Sequence, residues 1–132
     1  MEDQLETKNK EIVRRFNAAC IAGGDRDAFG ELVAPDFVDH TAPPENASAD
    51  AMAFFIFDLL RVAIPDLAIG IHDLIAEGDR VTTRKTFHGT FSQDLLGVPA
   101  TKQRIAIDVI DILVMRDGRI VEHWGMNNFG RP

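Results

Sequence analysis

Apolar positions in the first half of the chain recur every three to four residues, and in the second half every two. From about Leu5 to Ala22 the spacing predicts a helix. Ile12, Val13, Phe16, Ala19 and Cys20 share one face, and Glu11, Arg14 and Arg15 take the other. Gly23-Gly24 ends it. Asp25 can cap a short second helix running through Phe29 and Leu32, which Pro35-Asp36 breaks. Phe37-Val38-Asp39-His40 reads as a short strand, and residues 41–46, with Pro43-Pro44, as a loop. Ser48 or Asn46 can cap a third helix from about Ala49 to Val62, with Pro65 beyond its end. Its Phe54, Phe55, Phe57, Leu59 and Leu60 make it apolar almost all round, which predicts burial on more than one side.

From Leu67 onward the alternation of Leu67, Ile69 and Ile71 predicts strands. Glu77-Gly78-Asp79 reads as a turn, Val81 to Phe91 as a strand and Ser92 to Ala100 as a connection. Thr101 to Met115 and Arg119 to Asn128 read as the last two strands. Asp117-Gly118 suits a type I turn followed by a left-handed glycine and a bulge. Helices first and antiparallel strands after imply one α+β domain over 1–132. Its curved antiparallel sheet forms a cone, with about three N-terminal helices packed on the concave face. The mouth of such a cone is a natural pocket.

Composition narrows the partners. The 132 residues carry a net charge of −7, and the acidic pI of about 4.9 opposes phosphate backbones and anionic membranes, so neither nucleic acid nor membrane is expected. The apolar run Ala51 to Leu60 is interrupted by Asp58 and is too short to span a bilayer. The single cysteine, Cys20, excludes an internal disulfide, and no signal core follows the acidic start; a cytoplasmic protein is the expectation.

The last hairpin carries the candidate chemistry. A three-residue bulged turn would pair Leu113 with Val121, Asp111 with His123 and Val109 with Gly125, so that Asp111 and His123 share a face and hydrogen-bond. A two-residue turn would instead place Asp111 opposite Trp124. The plainer alternative for the pair is an exposed ion pair on the outer face. Arg84 could stabilise an enolate or bind a carboxylate, or simply sit paired at the surface. With Asp111 and His123 inward, Ile110, Ile112, Ile120, Trp124 and Met126 form an outer apolar stripe of the kind that marks a partner interface.

These segments resemble the nuclear transport factor 2-like superfamily and, within it, the SnoaL-like polyketide cyclases. The likeness rests on Phe37-Val-Asp-His40, Ala63-Ile-Pro-Asp-Leu67, 73–81 (DLIAEGDRV), His88-Gly-Thr90, Gly97-Val-Pro-Ala-Thr101 and 117–124 (DGRIVEHW), in that order over nearly the whole chain. By resemblance to ketosteroid isomerases of the same fold, Asp111 takes the place of a pocket acid and His40 that of the general base on the early strand. His40 could alternatively anchor the Pro-rich loop. Homodimers through the outer sheet face, here including Trp124, are common in the superfamily. Two departures stand out. The chain has no tyrosine to serve as an oxyanion donor. Gly125 follows Trp124 where the cyclases carry an acid/base aspartate.

The sequence therefore points to cofactor-independent cyclisation or isomerisation of a hydrophobic carbonyl compound. His40, Asp111 and His123 would do the acid/base work, and Phe16, Phe54, Leu113, Asn127 and Arg84 would contact substrate. A metal set of His40, His123 and Asp111 lacks any local ligand spacing, so neither metal nor cofactor is expected. A non-catalytic binder or a dimerisation module of the same fold is the competing reading. Cavity polarity separates them: two or more ionisable groups within about 3–4 Å of one another favour an enzyme.

Overall fold

A computed structural model describes residues 3–130. Helix α1 (Gln4–Arg15) opens on a reciprocal cap: Asp3 accepts from the Glu6 amide at 2.8 Å and Glu6 accepts from the Asp3 amide at 3.0 Å. The helix then widens into π-helical turns over Phe16–Ala22. At Gly24 the backbone turns left-handed (φ 71°), and a side chain there would strike the Arg61 guanidinium. Asp25 caps α2 (Arg26–Leu32) by accepting from the Ala28 amide at 3.0 Å. Helix α3 (Ala49–Phe54), capped by Ser48, likewise passes into π-helical turns over Phe55–Leu60 before a last turn at Arg61–Ala63. Such turns recur at functional sites because they re-aim side chains. Among the described residues, no helix is long and apolar enough to cross a membrane.

Five strands follow or flank these helices: β1 (Val33–Asp39), β2 (Ala68–Glu77), β3 (Arg80–Thr90), β4 (Arg104–Arg116) and β5 (Arg119–Asn127). They form one open sheet in the order β1-β5-β4-β3-β2. Where the sequence suggested an all-antiparallel sheet, β1 instead runs parallel to β5, and the other neighbours are antiparallel. The chain passes from α2 into β1 without a break. Pro35 is tolerated inside β1 because the strand lies at the sheet edge, and the pairing is irregular between Val33 and Val38. The core fills the space between helices and sheet, with Val13, Phe16, Phe29, Leu60 and Ile64 meeting Val81, Ile107, Leu113 and Ile120.

The β4–β5 hairpin corrects the expected register. Asp117 and Gly118 both take positive φ (52° and 78°) as the two central residues of a tight turn, with Arg116 opposite Arg119. That turn alone would carry Asp111 opposite Trp124. A bulge intervenes: Met115 pairs with Ile120 but Val114 with Glu122, so Val121 is an extra residue in β5. The bulge advances the register once more. Asp111 now faces Gly125 and His123 faces Leu113. Two one-residue steps restore the parity of the faces, so Asp111 and His123 share the inner face as diagonal neighbours.

Candidate active site

Alternation along the strands selects what reaches the cavity under the helices. In β3, Val81, Thr83 and Lys85 are buried. In β4 the inward set includes Val109, Asp111 and Leu113. Lys85 is therefore an inward lysine with only 3% of its side chain exposed, and a charge there needs a partner. It has two. Its Nζ lies 2.7 Å from Asp111 Oδ2 and donates to Asn17 Oδ1 at 2.7 Å. Asn17 stands in the π-helical continuation of α1 and is held by donating its own amide to the Val13 carbonyl at 2.9 Å.

The chain of charges continues through His123. Its Nε2 lies 2.7 Å from Asp111 Oδ1 and its Nδ1 3.0 Å from Asp39 Oδ1. A ring between two carboxylates donates at both ends only as the imidazolium. Burial pushes its pKa down, but the hydrogen bonds and charges of Asp111 and Asp39 outweigh burial and raise it to about 9. Burial would raise Asp111, yet the Lys85 charge and the His123 hydrogen bond hold it at about 2. Asp39 is likewise lowered, against burial, by His123 and by Thr41. Asp39, His123, Asp111 and Lys85 thus alternate in sign and sum to zero.

All four residues of this chain line the same cavity, and Asp39 is the member that β1 supplies. The Thr41 amide and hydroxyl donate to its Oδ1 at 3.1 and 2.9 Å, and the Gly125 amide donates to the Thr41 hydroxyl at 3.2 Å. His123 and Thr41 both engage Oδ1, so the hydrogen bonds that hold Asp39 do not use Oδ2, and Asp39 lines the cavity. That cavity measures about 710 Å³ and has mostly apolar walls, among them Phe16, Phe55, Leu59, Phe87, Ile107 and Val109. Its volume lies within the range of sites for drug-sized molecules.

The expected site residues divide. Asp111, His123, Phe16, Phe54, Leu113 and Asn127 line the cavity, with Phe54 at the rim and 55% exposed. His40 does not. It follows Asp39 directly and so falls on the opposite face, where its ring stacks on Trp124 (centroids 4.4 Å apart) and its Nε2 meets Glu122 Oε1 at 2.8 Å. His40, His123 and Asp111 therefore do not converge. Arg84 also points outward, paired with Asp73 at 2.6 Å. Two residues not singled out in the sequence, Asp39 and Lys85, complete the cluster. The parity of Asp39 with the buried Phe37 and of Lys85 with Val81 carried that signal.

Linkage gives the cluster a pH signature. His123 binds its proton more tightly folded than unfolded, so its stabilisation is complete below about 6.5 and fades as pH rises through about 9. Asp111 contributes above its ordinary 3.8 and loses that contribution as pH falls toward about 2. Thermal melts of the wild type should decline from pH 6.5 to 9.5 more steeply than those of His123→Gln. Parallel curves would contradict the assignment.

An open five-stranded mixed sheet packed against three helices, with a charged cluster lining an apolar cavity, defines an α+β protein of the nuclear transport factor 2-like fold. A family model for SnoaL-like polyketide cyclases matches residues 11–129, and the chain belongs to that family. Among solved structures it is similar to TsrD from Streptomyces laurentii (26% identity, TM-score 0.83, covering 97% of this chain and 92% of that one). It is also similar to AclR from Streptomyces galilaeus, a proposed hydroxylase (28%, TM-score 0.80, 95% and 92%). IdmH from Streptomyces antibioticus, a proposed polyketide cyclase, is a further likeness (27%, TM-score 0.77, 91% of each chain). No curated protein matches the chain.

Proposed function

We propose that the protein catalyses cofactor-independent ring closure or isomerisation of a hydrophobic carbonyl compound, with Asp39 rather than His40 as the base. The observation that carries this reading is the Asp39–His123–Asp111–Lys85 chain, whose consecutive contacts are 3.0, 2.7 and 2.7 Å and whose four members all line a largely apolar cavity. Burying Lys85 and Asp111 and largely covering His123 and Asp39 costs stability, and a purely apolar binding pocket would avoid that cost.

The steps balance. Asp39 Oδ2 takes a C–H proton beside a carbonyl, and the bonding pair moves into the enolate. The enolate carbon attacks a second carbonyl of the same molecule, and the resulting alkoxide recovers the proton from Asp39. In isomerisation the proton returns to a different carbon. His123 has both ring nitrogens engaged, so its part is a fixed positive charge beside the developing anion. Asp39 is a weak base with a lowered pKa, and each pH unit between acid and base costs about 1.4 kcal/mol. The site therefore suits a carbon acid flanked by two carbonyls better than a simple ketone.

An aryl 1,3-diketone in D2O provides the test. Deuterium should enter the central carbon faster with protein than in buffer, and binding without acceleration would favour the non-catalytic reading. We further propose a homodimer through the outer sheet face, where Ile110 and Met126 are 53% and 67% exposed beside Trp124. Trp124→Glu should then sediment as a lighter species than the wild type, and identical profiles would overturn the interface.

A further inference from the structure

The smallest residue of the cluster holds its geometry. We propose that Gly125 is a positioning residue whose missing side chain is the space in which Asp111 and His123 meet. A Cβ built at Gly125 would lie 2.7 Å from Asp111 Oδ1, 2.7 Å from His123 Nε2 and 2.8 Å from His123 Cε1. The first two atoms are the two ends of one hydrogen bond. A side chain at 125 would press on both ends at once.

Neither end is free to yield. Asp111 is tied through Oδ2 to Lys85, and His123 through Nδ1 to Asp39. The register explains the crowding: Gly125 sits directly opposite Asp111, and His123 is two residues back on the same face of β5. The backbone of Gly125 takes part as well, since its amide donates to the Thr41 hydroxyl that holds Asp39. One glycine thus touches the supports of both carboxylates. An acidic side chain on β5 at this position and a His123 bridged to Asp111 exclude one another, so this chain draws its base from β1.

The sign of the effect separates this role from ordinary strand behaviour. Gly125 carries no left-handed backbone angle, and alanine is normally the better strand residue. Gly125→Ala should therefore stabilise the fold unless it breaks the bond. We expect instead a melting temperature lower by about 5 °C or more, and a His123 ring that titrates at least about one pH unit lower by nitrogen NMR. In a His123→Ala background the same Gly125→Ala change should be neutral or stabilising, because the ring is gone and Asp111, held through Oδ2 alone, can turn Oδ1 into the space the ring leaves. Gly125→Ala melting at or above wild type with an unchanged His123 titration would overturn the proposal.

If Gly125→Ala alone does not fold, the comparison of His123→Ala with the double variant still decides. A double variant that melts with or above the single supports the role, and one that melts well below it overturns it. The positioning role deepens the acid/base reading above. Its stability cycle needs no substrate, so it can fail while deuterium exchange succeeds, and the reverse.

Discussion

Asp39→Asn is expected to lower enzyme-dependent deuterium exchange into a 1,3-diketone by roughly 10²–10⁴-fold, the usual contribution of a positioned general base. The amide keeps nearly the same shape. Its oxygen can still accept from His123 and Thr41, which now meet Asp39 Oδ1 at 3.0, 3.1 and 2.9 Å. His123 also retains Asp111 at 2.7 Å. The fold should therefore survive, and binding of the diketone should change far less than the rate. A loss of rate with binding kept is what an interaction confined to the proton-transfer step produces. His40→Ala is the companion variant. His40 faces away from the cavity and stacks on Trp124, so its exchange rate should equal that of the wild type. The opposite pattern, with His40→Ala inactive and Asp39→Asn active, would return the base to the position expected from the family resemblance.

Lys85→Met should have the largest effect on stability. The substitution leaves the Asp111 carboxylate buried beside His123 alone and removes the donor to Asn17. Breaking one side of a buried ion pair typically costs about 3–5 kcal/mol, which for a domain of this size corresponds to a fall of roughly 10–20 °C in Tm. The second variant is more informative. Lys85→Met with Asp111→Leu removes both charges, and a well-packed apolar pair of similar volume is often neutral. That double variant should melt well above the single one and close to the wild type. It should nonetheless exchange deuterium slowly, because His123 has lost the acceptor that orients its ring. A single variant as stable as the wild type would mean that Lys85 is not compensating a buried charge.

The contrast between the pair of histidines shows how far the chain could be read in advance. Helix and strand periods located the elements to within a few residues, because packing and pattern agree along α1, α3 and the last four strands. Asp111 and His123 stood out as ionisable groups among apolar neighbours, and both line the cavity. Their register differs from the three-residue-turn expectation in two respects: the turn is the tighter two-residue one, and Val121 forms a bulge. A one-residue bulge leaves almost no composition signal, yet it decides which face a strand shows. Asp39 and His40 illustrate the same limit. Adjacent strand residues point to opposite faces, so which of two titratable neighbours enters the cavity depends on parity alone. Lys85 was hidden for a different reason. A lysine in an alternating strand normally marks the solvent face, and only a facing carboxylate makes burial tolerable. Gly125 read in the sequence as a missing acid; in the structure it is the room that the Asp111–His123 bond occupies.

The proposed chemistry requires that His123 be held as an imidazolium between two carboxylates, with Asp39 left unprotonated as the base. Nitrogen NMR of the imidazole ring in the wild-type protein tests it most directly. Both ring nitrogens of His123 should carry protons at pH 7 and titrate together near 9. A neutral ring at pH 7, with one bare nitrogen, would contradict it.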